Sequence, residues 1–80
     1  MNKYLNSNRT YIKTTDERHW INLKYVIKLY VDYEEPDSTY YLVARVLEHN
    51  ISGEINNYDI AQFSTEEESE KVLEELVELL

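Results

Sequence analysis

Between Lys24 and Tyr33 the chain alternates: Tyr25, Ile27, Leu29, Val31 and Tyr33 fall on one side of an extended backbone, and Lys24, Val26, Lys28, Tyr30 and Asp32 on the other. Successive side chains of a strand point to opposite faces, so this order predicts a half-buried strand. Glu34 to Ser38 reads as the turn that ends it, because Pro36 pre-sets a turn φ and cannot donate to a ladder. Thr39 to Glu48 is the returning strand, with Tyr41, Val43, Arg45 and Leu47 on one side and Tyr40, Leu42, Ala44 and Val46 on the other. Apolar groups on both sides place it centrally, covered at least in part on each face.

Toward the C-terminus the period lengthens from two to that of a helix. Val72, Leu73, Leu76, Val77 and Leu80 form one stripe, with Glu67, Glu70, Glu74, Glu75 and Glu78 outside it. Ser64 with Glu67 makes a capping box, and Thr65 with Glu68 repeats the pattern one residue later, so either can start the helix. Glu66, Glu67 and Glu68 suit the positive end of the helix dipole.

At the other end, residues 1–8 read as a mobile polar lead-in. Thr10 to Thr14 is β-branched and aromatic, Thr15 to Arg18 is turn-like, and Trp20 to Leu23 resumes an extended run, so a first hairpin is expected. His49 to Asn57 is rich in turn formers, and Tyr58 to Phe63 makes a last short strand. Strands are thus expected at about 10–14, 19–33, 39–48 and 58–63, and a helix at about 65–79. The expected fold is a single α+β domain: an antiparallel β-meander of four to five short strands with one C-terminal amphipathic helix packed on one face. One helix covers one face only. The second is wet, covered by the N-terminal hairpin, or used by a partner.

Composition narrows the functions. The 80 residues include one glycine (Gly53), one proline and no cysteine. Glycine-rich dinucleotide and phosphate loops, disulfide scaffolds, zinc-thiolate sites and cysteine nucleophiles are excluded. The N-terminus has no apolar signal core, and no apolar run approaches the roughly 20 residues that span a bilayer. The longest, Leu42 to Leu47, contains Arg45, and a cytoplasmic protein with no membrane partner is expected. Asn8-Arg9-Thr10 and Asn50-Ile51-Ser52 match a glycosylation acceptor by chance in that setting. Charge is uneven. Residues 1–30 carry six basic side chains against two acidic, a net of +4, and residues 31–80 two against fourteen, a net of −12. The N-terminal strands neutralise part of the acidic half, and a solvated carboxylate surplus remains that repels nucleic acid at long range.

Trp20-Ile21-Asn22-Leu23-x-x-Val26-Ile27, a strand hairpin, and then Phe63-Ser64-Thr65-Glu66-Glu67-Glu68-x-Glu70-x-x-Leu73-x-x-Leu76 together resemble a loose group of small, mostly uncharacterised bacterial and phage α+β proteins. The resemblance spans residues 11–80, implies a bacterial, phage or mobile-element origin, and supplies no catalytic residues. Small acidic phage proteins include inhibitors that mimic nucleic acid, an analogy of size and charge.

The candidate chemistry is sparse. His19 and His49, the two histidines, fall at the ends of different strands and read as solvated rather than as metal ligands with Asp16, Glu17 or Glu48. Asp32-x-Glu34-x-x-Asp37 lacks the glycine and closing glutamate of a calcium loop. Ser52-Gly53 lacks the flanking glycine of a nucleophile elbow, and adjacent Glu34 and Glu35 point to opposite sides. No enzyme and no cofactor are expected. Lys3, Arg9, Lys13, Arg18, Lys24 and Lys28 interleave with Tyr4, Tyr11, Trp20, Tyr25 and Tyr30, a single-strand binding pattern opposed by the net charge of −8. Eight tyrosines favour protein contact. Tyr30, Tyr41, Val43, Val26 and Leu47 are placed on the face away from the helix, for a protein partner or a second copy in a homodimer. Glu67, Glu70, Glu74 and Glu78 make a helical carboxylate row roughly 16 Å long, able to imitate phosphates toward a basic, nucleic-acid-handling protein.

Overall fold

The computed structural model describes residues 3–16, 19–48 and 53–80. Expectations resting on Glu17, Arg18, His49, Asn50, Ile51 and Ser52 fall outside them. Along the described chain run β1 (Tyr11–Lys13), β2 (Trp20–Asn22), β3 (Val26–Glu34), β4 (Thr39–Leu47), β5 (Ile55–Phe63) and α1 (Glu66–Leu79). β1 and β2 pair as a small sheet of their own, and β3, β4 and β5 form an antiparallel meander with β4 in the centre. The fold is α+β, with the C-terminal helix on one face of the meander.

The β3–β4 hairpin closes where the sequence places it. Glu34 pairs with Thr39 across a four-residue loop. Ser38 N–H donates to the Glu35 carbonyl at 3.2 Å, and Pro36 occupies the second turn position, where its fixed φ is at home. Ser38 itself takes φ 50°, a left-handed conformation that lets Thr39 rejoin the ladder.

Two element boundaries differ from the sequence expectation. The strand expected over 19–33 is broken by a 3₁₀ turn at Leu23–Tyr25. Asn22 causes the break: its side chain accepts from Lys24 N–H at 3.1 Å and satisfies a donor that a strand would have paired. The chain therefore turns a corner from hairpin to sheet. A register shift between Val26 and Lys28 follows immediately. It sends Val26 into the core and leaves Ile27 55% exposed, opposite to the simple alternation. At the other boundary, β5 begins at Ile55 rather than Tyr58, so Asn56 and Asn57 pair with Val46 and Arg45. Both asparagine side chains are exposed, so the ladder overrides their turn preference without burying a polar group.

The core draws on three sources. Leu42, Ala44 and Val46 come from alternating positions of β4, Leu5 and Ile12 from the N-terminal segment, and Leu76 from α1, joined by Ile60 and Ala61. Ile60 and Ala61 are adjacent yet both buried, because a second register shift, at Leu42/Val43, adds a residue to β5 there. Leu5 belongs to the stretch expected as a mobile lead-in. It is 5% exposed and bridges to Ile12. The turn between them is organised by Asn6, whose side-chain oxygen accepts from Thr10 N–H at 2.8 Å and Tyr11 N–H at 2.9 Å.

The helix is capped by Thr65, whose hydroxyl accepts from Glu68 N–H at 3.2 Å, so the second of the two possible starts is the one used. Its buried line also differs from the apolar stripe. Ser69 and Leu76 are fully buried, flanked by Val72, Leu73 and Leu79, while Val77 and Leu80 are 59% and 57% exposed. Ser69 is small enough for close approach to the sheet, and its hydroxyl is satisfied by the Glu66 carbonyl at 2.7 Å. With Ser69 and Leu76 on the buried line, Val77 falls to its side, in solvent. Leu76→Ala is expected to destabilise the fold by about 3 kcal/mol and Val77→Ala by less than about 0.5 kcal/mol in urea denaturation. Equal losses at the two positions would contradict this rotation.

Candidate functional site

The pleat of β4 divides the sheet into an inner face, under the helix and hairpin, and an outer face. Cross-strand partners share a face, so the register fixes the outer surface row by row. Lys28, Arg45 and Asn57 form one row, Tyr30, Val43 and Asp59 the next, and Asp32, Tyr41 and Gln62 a third. Leu47 with Ile55 lies beyond the first row, and Glu34 with Thr39 beyond the last. Of the apolar and aromatic side chains in these rows, none belongs to the core cluster and none is among the hydrophobic residues packed against it.

The face is mixed. Tyr30 and Tyr41 are half-buried, and Val43 between them is 4% exposed. Leu47 and Ile55 are 44% and 50% exposed. Lys28, Asp32, Arg45 and Asp59 are exposed, with Lys28 Nζ 5.4 Å from the centre of the Tyr30 ring. The structure thus brings Tyr30, Tyr41 and Val43 together as the sequence expects. Val26 does not join them, because the β3 register shift turns it inward. Asp59 is placed on this face only by the β4–β5 register, whereas the alternation already sets three other charged residues beside the tyrosines and Val43. Their signal was parity: Lys28 and Asp32 flank Tyr30 at two-residue spacing, and Arg45 follows Val43 in the same phase.

The carboxylate row lies elsewhere. Glu67, Glu70, Glu74 and Glu78 are all exposed, on the side of α1 opposite the buried Ser69–Leu76 line. Since α1 packs on the inner face, the row and the tyrosine face look away from each other across the molecule. A compact partner reaches one or the other. Glu78 and Glu75 also border an open cleft of about 510 Å³ with Leu5, Asn6, Ser7, Arg9 and Leu79.

The basic and aromatic residues of the N-terminal half form pairs. Lys3 lies over Tyr4, Lys13 over its cross-strand neighbour Trp20 at 5.6 Å, and Lys24 over Tyr25. Trp20 and Tyr11 remain 49% and 41% exposed. Among the described residues no group of three or more histidine and carboxylate side chains gathers around a point that could hold a metal ion. His19 Nδ1 lies 3.5 Å from Asp16 Oδ2, and Thr14 donates to Asp16. The His19 ring tilts against Tyr58, with centroids 6.2 Å apart, and Tyr58 donates its hydroxyl to Glu48. A polar chain thereby ties the hairpin to the end of the sheet, reinforced by Thr15 N–H donating to the Asp59 carbonyl at 2.9 Å.

No family model, curated protein or solved structure matches this chain. Among the described residues no helix is long and apolar enough to cross a membrane.

The Tyr58–Glu48 bond has a pH signature. Donation to the carboxylate, then burial, then the nearby negative charge raise the Tyr58 pKa above its ordinary 10.0. Folding thus favours the protonated phenol, and its stabilisation is complete below pH 10 and lost as pH rises through the raised value. Tyr58→Phe is expected to lower the urea midpoint at pH 8, with the gap to the parent protein closing above about pH 10. A gap constant from pH 8 to about pH 12 would contradict the bond.

Proposed function

We propose that this protein is a small, non-enzymatic protein-binding module whose contact surface is the outer face of its three-stranded sheet. One observation carries the reading: the helix and the N-terminal segment both feed the inner core, and Tyr30, Tyr41 and Val43 lie outside that cluster on the opposite face. Two half-buried tyrosines around a dry valine, rimmed by charge, match the aromatic centre and polar rim of protein contacts. Action in the cytoplasm, a bacterial or phage source and independence from cofactors belong to the same proposal.

A second reading rests on the helix. Glu67, Glu70, Glu74 and Glu78 are exposed along one line, a spacing suited to a basic groove on a nucleic-acid-handling protein. A third, single-strand binding through Trp20, Tyr11 and Lys13, faces a net charge of −8 that repels phosphate. Affinity capture from a bacterial lysate separates the first two. Wild-type bait is compared with a Tyr30→Lys, Tyr41→Lys bait and with a Glu67→Gln, Glu70→Gln, Glu74→Gln, Glu78→Gln bait. The sheet-face reading predicts that the tyrosine pair abolishes capture and the four glutamines leave it intact. The reverse pattern, with release of the captured protein by roughly 0.5 M salt, would replace it with the helix reading.

A further inference from the structure

The charges on the outer face are ordered along the strands, and the order is self-complementary. The cations Lys28 and Arg45 share one row. One row of Tyr30, Val43 and Asp59 follows, and then come Asp32 and, at the far end, Glu34. Positive charge thus lies on one side of the Tyr30–Val43 centre and most of the negative charge on the other.

The geometry points to a second copy of this chain as the occupant of the face. The copies meet face to face about a two-fold axis that crosses the strands at Tyr30 and Val43. This inference rests on the sheet-face reading above and names its partner. Such an axis keeps β3 over β3 and reverses the rows. Lys28 of each copy then meets Asp32 of the other, Arg45 meets the Tyr41 ring, Val43 meets Val43, and the one like-charge contact, Asp59 on Asp59 at the edge of the face, is outnumbered by the two Lys28–Asp32 pairs. The alternative two-fold, parallel to the strands, stacks Arg45 on Arg45 and sets Lys28 opposite Asn57 and Asp32 opposite Gln62, so no opposite-charge pair offsets the like-charge contact.

The sheet edges support facing over edge pairing. β3 is shifted in register at Val26/Lys28 and β5 at Leu42/Val43, so each edge strand carries a bulge that spoils a continuous ladder to a neighbouring chain. Nine-residue strands span about 30 Å, and three of them with their side chains about 15 Å. A contact of this size is small for a stable dimer, so the pair forms reversibly at micromolar or higher concentration.

Sedimentation equilibrium from about 5 µM to about 1 mM, at roughly 0.15 M salt where the repulsion between two chains of net charge −8 is screened, tests this. The parent chain is expected to pass from 9.6 kDa to twice that mass. Lys28→Asp and Asp32→Lys are made separately. Both positions are exposed, and circular dichroism checks each fold. Each variant alone places like charges at both crossing points and is expected to dissociate at least about tenfold more readily. An equimolar mixture of the two restores opposite charges at both points and is expected to recover the parent affinity to within about threefold. A parent chain that stays at 9.6 kDa throughout, or a dimer indifferent to both reversals, overturns the self-pairing. Either result leaves the sheet-face reading to the tyrosine-variant capture, which fails independently.

Discussion

Ile12, Leu42 and Leu76 are wholly excluded from water and come from three different parts of the chain: the N-terminal hairpin, the central strand and the helix. Their meeting is the constraint on which the rest depends. An 80-residue chain has little apolar mass beyond one such cluster, so the hairpin and the helix must both gather where Leu42 points. The sheet has two faces, and the opposite one is left to tyrosines and charge. The outer face is thus a consequence of how little core there is.

That consequence leaves two surfaces apart. The tyrosine face and the helical carboxylate row lie on opposite sides, so they are two separate surfaces rather than one composite site. Both sheet edges are bulged, which disfavours edge pairing with another chain. The polar chain from Thr14 through Asp16, His19 and Tyr58 to Glu48 holds the hairpin against the end of the sheet. None of these side chains belongs to the outer rows.

Much of this was legible in the residues. Alternation across Leu42, Ala44 and Val46 showed the central strand, and the period change with paired capping boxes showed the helix to within one residue. What was hidden has a common cause: local pairings that apolar counting does not register. Asn22 capping a 3₁₀ turn broke one expected strand. Register shifts without a glycine moved Val26 inward and Ile27 outward. Ser69, a polar residue, holds a place on the buried line of the helix, while Val77 lies to its side and Leu80 past its last turn, both in solvent. Parity alone set Tyr30, Lys28 and Asp32 on one side of β3 and Tyr41, Val43 and Arg45 on one side of β4, whereas their alignment into rows, and the place of Asp59, needed the register.

The chain has no cysteine, so single thiols report cleanly on the two faces. Arg45→Cys and Asn57→Cys place one on the outer face, and Ala44→Cys places one in the core, where the parent side chain is 0% exposed. Reaction with a thiol reagent at sub-micromolar protein is expected to proceed at positions 45 and 57 as fast as in an unfolded peptide, and at least about 100-fold more slowly at position 44. Protection at positions 45 and 57 equal to that at 44 would show that the outer face is sealed by the chain itself, and would contradict the account.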